Sequence, residues 1–92
     1  MVFRTYHKDK IPEGYKKIPF ESQDKLRTVV YSYEGEYVLI LDRNNNREYF
    51  EGILILSGDN NIFKLVDPTS PKTDKDSLSF RFSNILEILV KD

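Results

Sequence analysis

The stretch from Arg47 to Val66 constrains this chain more than any other. It reads as one hairpin, with a first arm Arg47–Leu56, a turn Ser57–Asn60 and a second arm Asn61–Val66. β-branched and aromatic residues crowd both arms, and Gly, Asp and Asn bound them. That is the pattern of two strands joined by a tight turn. A lone two-stranded hairpin is marginal in water, so other strands have to dock on it.

The neighbouring sequence offers them. Thr28–Tyr33 and Glu36–Leu41 read as strands, with Glu34-Gly35 as the turn between them. Asp42–Asn46 holds three consecutive Asn, which tolerate left-handed backbone and favour a turn. Asp67–Asp76 has two Pro and no hydrophobe and reads as a mobile loop. Ser77–Ser83 alternates strictly: Leu78, Phe80 and Phe82 toward a core, Ser77, Ser79, Arg81 and Ser83 outward. With Leu54, Leu56, Phe63 and Leu65 they form the expected core.

Ile85–Val90 is a last strand, apolar on both faces apart from Glu87. A core absorbs one face, which leaves Ile85 and Leu89 without cover. An apolar edge of this kind invites strand addition by a partner or a second copy. The alternative cover is internal, from Phe3, Tyr6, Tyr15 and Phe20. Those residues make 1–27 too apolar for a free tail, although the turn signals Ile11-Pro12-Glu13-Gly14 and Ile18-Pro19 predict an irregular course. Glu21–Arg27 fits one short helical turn with Ser22 as N-cap. The reading is an N-terminal arm over 1–27, partly packed on a body over 28–92. Short antiparallel strands avoid long apolar edges by curling up, which predicts an all-β, SH3-like antiparallel barrel of about five or six strands.

Chemistry-bearing motifs are scarce. There is no Cys among the 92 residues, which removes disulfides and thiolates and favours a reducing, cytoplasmic setting. No secretory leader and no apolar run of roughly 20 residues is visible. The one His, His7, lies in the irregular arm and reads as solvated. Asp74-x-Asp76 begins a calcium-loop pattern but lacks the Gly and the terminal Glu. Glu48 and Glu51 read as solvent-facing sheet residues, and Arg81 as an outward residue able to stack or to bind an anion, with a cross-strand pair with a Glu the favoured role. No catalytic residue, cofactor or metal is expected. The formal net charge is −1, with residues 1–30 at +3 and residues 31–92 at −4.

The order of pieces resembles the Sm-like family: a strand at Val38–Asp42, a bend at Gly52-Ile53-Leu54, a strand closing at Leu65-Val66, a variable loop over 67–76, and Phe80-Arg81-Phe82-Ser83-Asn84-Ile85-Leu86-Glu87-Ile88 in place of the second Sm motif, with Arg81, Asn84, Ile85 and Ile88 in register. The resemblance covers residues 37–90 and implies a small barrel, assembly through the last strand, and RNA contact. The departures are specific. The family's RNA-contacting Asp and Asn positions hold Gly58 and Ile62, the Gly after the motif's Arg is Phe82, and a strand over Thr28–Tyr33 stands where Sm proteins carry a helix. The ending from Arg81 through Ile85 and Ile88 also resembles WYL and YolD-like domains, and Tyr15-Lys16-Lys17-Ile18-Pro19-Phe20 resembles the start of the latter.

Two functional expectations follow. The first is a non-enzymatic protein-interaction module, regulatory or accessory to a larger partner or to itself as a dimer or ring. Its contacts would be Tyr31, Tyr33 and Tyr37 around a hairpin tip, with Ile85 and Leu89. The second is an Sm-like nucleic-acid binder using Lys8, Lys10, Lys16, Lys17, Lys25, Arg27 and Arg81. A membrane is not expected as a partner.

Overall fold

The computed structural model describes residues 4–67 and 77–92. Among them the chain forms seven strands and one α-helix: β1 Thr5–His7, β2 Tyr15–Lys17, α1 Gln23–Ser32, β3 Tyr37–Asp42, β4 Asn45–Leu56, β5 Ile62–Val66, β6 Ser77–Arg81 and β7 Ile85–Lys91, with a 3-10 turn at Phe82–Asn84. The expected all-β antiparallel architecture holds. Strand order is β2-β7-β3-β4-β5-β6, with β1 paired to β4, and the sheet does not close on itself. The expected hairpin is β4–β5, twelve and five residues long. The arm is more regular than its turn signals suggested, because β1 and β2 are both drawn into the sheet.

β4 owes its length to serving two partners along one edge. Thr5–His7 pairs with Phe50–Glu48 on the first half, and β5 pairs from Ile53 to Leu56 on the second. Gly52 sits at the changeover. A Cβ built there would lie 2.9 Å from the Leu65 Cβ and 3.0 Å from the Val66 carbonyl oxygen, so only Gly lets β5 approach this closely.

The main core gathers the inward positions of each strand: Val38, Ile40, Leu54, Phe63, Leu65, Phe80, Ile88 and Val90, all buried. Phe63 binds it together, with ring centroids 5.7 Å from Phe80 and 5.1 Å from Phe82. Of the expected core, Leu56 and Leu78 are half-buried at its margin. Helix α1 packs Leu26 and Val30 into the same core.

That helix overturns the expected strand over Thr28–Tyr33. Leu26 and Val30 are one turn apart, and Val29 and Tyr33 flank them, so helical spacing makes one apolar stripe. Ser22 caps the start, accepting the Lys25 amide at 3.4 Å. The β-branched run has a strand bias, but burial of the stripe outweighs propensity. Glu34-Gly35 therefore joins helix to strand, with Gly35 at φ +87. Of the three Asn only Asn44 lies in the turn, with Arg43, while Asn45 and Asn46 open β4. The turn needs no left-handed backbone, since no non-Gly residue among those described has positive φ. Asp42 secures it by accepting the Asn44 amide at 2.8 Å.

The last strand is not an edge. β7 lies between β3 and β2, and Ile85 and Leu89 are buried at 2% and 5% exposure. Two causes differ. Between Leu41↔Glu87 and Asp42↔Ile85 the register slips by one residue. This bulge turns Ile85 into the main core and leaves Leu86 40% exposed. Leu89 stays on the outer face, where it forms a second cluster with Leu39, Leu41 and Tyr49 beneath Tyr6 and Tyr15. The internal cover from the arm is thus realised by Tyr6 and Tyr15. Phe3, the loop over 68–76 and the Asp74-x-Asp76 pattern lie outside the described residues.

Candidate functional site

The outer face is where the carboxylates are engaged. Glu51 accepts the hydroxyls of Tyr15 at 2.9 Å and Tyr6 at 3.3 Å. Glu48 accepts from Thr5 at 2.7 Å, and Glu87 from Tyr49 at 2.7 Å. Glu48 and Glu51 are therefore half-buried anchors of the arm rather than free surface residues. Burial and then the bond to Glu87 push the Tyr49 hydroxyl up to about 12, and burial followed by Glu51 raises that of Tyr15. The Arg4 guanidinium is raised by Tyr6, with Glu51 adding to it. No buried side-chain polar atom of this face lacks a partner among the described residues, so this cluster reads as a fastening.

The expected protein contacts do not form one surface. Tyr31 is 56% exposed on α1, whereas Tyr33, at the end of the helix, packs against the main core. Tyr37 starts β3 and lies beneath the Lys91 ammonium, 5.5 Å from its ring centre. The hairpin tip that would have presented these three together does not exist. Ile85 and Leu89 are buried as described.

The basic candidates also scatter. Lys16 pairs with Asp92 at 3.7 Å and Lys17 with Glu87 at 3.7 Å, both at the β2 edge. Lys8 and Lys10 are exposed just past β1. Lys25 borders a groove of about 360 Å³ beside Phe20 and Val29. Arg27 and Arg81 alone converge.

They line a polar cavity of about 240 Å³ with Asp24, Asn61, Phe82 and Ser83. α1 contributes Asp24 and Arg27, one helical turn apart. The β4–β5 turn contributes Asn61, and the end of β6 with its 3-10 turn contributes Arg81, Phe82 and Ser83. The Arg27 guanidinium carbon sits 5.8 Å from the Phe82 ring centre, which holds the planar group over an aromatic face. Its Nε is buried and has no hydrogen-bond acceptor among the described residues. Arg81 faces Ile62 across the ladder, not the expected Glu. Neither guanidinium joins an ion pair among the described residues.

A second feature adjoins β6, which pairs only with β5 among the described residues. Phe82 donates its amide to the Asn61 carbonyl at 3.1 Å, continuing the register Ile62↔Arg81 and Phe63↔Phe80. Bonded pairs alternate in an antiparallel ladder, so the backbone groups of Ser79 and Arg81 point away from β5. Beside that edge is an apolar groove of about 200 Å³ walled by Phe50, Leu78 and Phe80, with the β3–β4 turn at its end. The Phe50 and Phe80 rings meet across it at 5.8 Å.

His7 is exposed and lies 3.5 Å from Asp9. No group of three or more His, Cys, Asp or Glu among the described residues is placed to hold a metal ion. No helix among them is long and apolar enough to cross a membrane. The chain matches no protein-family model, no curated protein and no solved structure.

Proposed function

We propose that this chain is a non-enzymatic protein-interaction module on an Sm-like, SH3-like small barrel, acting in the cytoplasm and binding a larger partner by strand addition along β6. The observation that carries this reading is the outward backbone of Ser79 and Arg81 beside the Phe50–Leu78–Phe80 groove. Main-chain bonds would supply affinity, and the groove would select alternate side chains. The outward side chains next to this edge are Lys64, Ser79 and Arg81. They favour a partner segment that alternates apolar residues with acidic ones.

The test is selection from a displayed library of extended decapeptides, followed by amide-shift mapping. Selected peptides should alternate as stated, shift the Ser79 and Arg81 amides, and lose binding to Ser79→Pro. Proline there deletes an outward N–H and is tolerated at a sheet edge. Equal binding to Ser79→Pro, or shifts confined elsewhere, would remove β6 as the contact.

A second reading, an Sm-like nucleic-acid binder, is favoured by the convergence of Arg27 and Arg81 and by α1 standing where that family carries its helix. On this reading Tyr31, one turn beyond Arg27 and exposed, supplies a stacking platform. A single-stranded decanucleotide should then bind with an affinity that falls steeply with salt.

A further inference from the structure

We propose that the cavity between Arg27 and Arg81 is a binding site for one phosphate group, carried by a small phosphomonoester or free as inorganic phosphate. This goes beyond the strand-addition reading and does not depend on it.

Charge is the first argument. Two guanidiniums meet one carboxylate, Asp24, among the cavity's lining residues, and neither is ion-paired among the described residues. The second is the Arg27 Nε, a buried donor without an acceptor among those residues. Leaving a buried donor unmet is unfavourable. The Nε itself is closed to the cavity, so an anion there meets the terminal nitrogens of the same guanidinium first and reaches the Nε only as that group turns. Preorganisation is the third: the Phe82 ring already holds the Arg27 guanidinium in place, so little side-chain freedom is lost on binding.

The donor set then selects the ligand. Asn61 and Ser83 also line the cavity and carry neutral donors beside the two forks, from three separate stretches of chain in all. A tetrahedral phosphate offers oxygens in several directions and suits convergent donors, while a carboxylate offers a single plane. At about 240 Å³ the cavity is smaller than the roughly 300–1,000 Å³ of pockets for drug-sized ligands. It fits an ionic group with little attached.

A long polyanion is less well served. Lys16 and Lys17 are paired with Asp92 and Glu87, and Lys8, Lys10 and Lys25 lie on other elements or another groove. Among the described residues, the cations Lys8, Lys10, Lys16, Lys17 and Lys25 form no continuous basic track leading from this cavity.

The experiment is a titration of the intact chain, read by amide and arginine Nε–H chemical shifts, with three probes: inorganic phosphate, adenosine monophosphate and a single-stranded decanucleotide. Saturable shifts at the Arg27 Nε–H, Asn61 and Ser83 are expected with the first two. Arg81→Ala should weaken both by about tenfold to a hundredfold. Arg81 is exposed, so this variant keeps the fold. Arg27→Lys, which retains the charge but removes the planar fork, should weaken them too. Tighter binding of the monophosphate than of phosphate assigns an organic phosphate, and equal binding assigns the free ion. The proposal is overturned by an absence of saturable shifts, by unchanged affinity in Arg81→Ala, or by binding of the decanucleotide alone with a salt dependence of many contacts.

Discussion

Replacing Gly52 by Ala tests the architecture at its tightest point. The new Cβ would sit 2.9 Å from the Leu65 Cβ and 3.0 Å from the Val66 carbonyl oxygen. Comfortable carbon contacts lie at about 3.5–4.0 Å, so one atom or the other must yield. Neither is the free end of a side chain. Leu65 is fully buried, and Leu65 and Val66 are paired to Leu54 and Ile53 in the β4–β5 ladder. Relief therefore requires β5 to move away from β4, which loosens Phe63 and Leu65 in the core.

Overpacking of this kind costs about 1–3 kcal/mol. The loss of backbone freedom in the unfolded chain returns about 0.4–1 kcal/mol, which leaves a net destabilisation of about 1–2 kcal/mol. A domain of this size has about 5–14 kcal/mol in all. Urea unfolding with a slope of about 1–3 kcal/mol/M should show a midpoint lower by about 0.5–1.5 M. Gly58→Ala is the control: nothing lies within 4 Å of its Cβ position, and its φ is not positive. That variant should stay within about 0.5 kcal/mol of the parent. If Gly52→Ala unfolds at the same urea concentration as Gly58→Ala, the close approach of β5 at the changeover is wrong.

Two further predictions concern the outer face. Glu51→Gln replaces a charged acceptor of two tyrosine hydroxyls by a neutral one. It should cost about 1 kcal/mol and speed hydrogen exchange at Tyr15–Lys17 while β5 amides keep their protection; uniform exchange rates would deny that the carboxylate fastens the arm. Tyr49 stays neutral up to about 12 in the folded chain but ionises near 10 when unfolded, so its stabilisation is complete below about pH 10 and is lost as pH rises from there through about 12. Tyr49→Phe should flatten the fall of the urea midpoint across that window, and an unchanged slope would place the effect elsewhere.

How much of this was legible depends on whether the deciding partner is near in sequence. The β4–β5 hairpin and the inward set Leu78, Phe80 and Phe82 follow from alternation and turn residues, which are local. Helix α1 had its signals too, with Ser22 as the cap and Leu26 and Val30 at helical spacing. The β-branched run from Thr28 to Val30 carried the opposite propensity, and only the existing core decides between them. The face of Ile85 could not be read at all. It is set by a one-residue slip against β3, and strict alternation put Ile85 with Leu89. Arg27 and Arg81 were each among the cations open to an anionic partner, although Arg81 was expected to pair with a Glu, and nothing local says that α1 and the end of β6 share a cavity.

On the outer face Tyr6 and Tyr15 of the arm pack over Leu39, Leu41, Tyr49 and Leu89. Availability shifts to the β6 side, where both proposed contacts pass through one residue. The backbone of Arg81 belongs to the strand-addition edge, and its side chain lines the phosphate cavity. A phosphate that fixes the Arg81 side chain also fixes the end of the edge to which a partner strand would bond. Any coupling between the two ligands must be reciprocal, so a phosphate that tightens peptide binding has itself to bind more tightly in the peptide complex. Arg81→Ala should abolish that coupling while leaving the edge able to pair, since the substitution keeps every backbone donor and acceptor of β6.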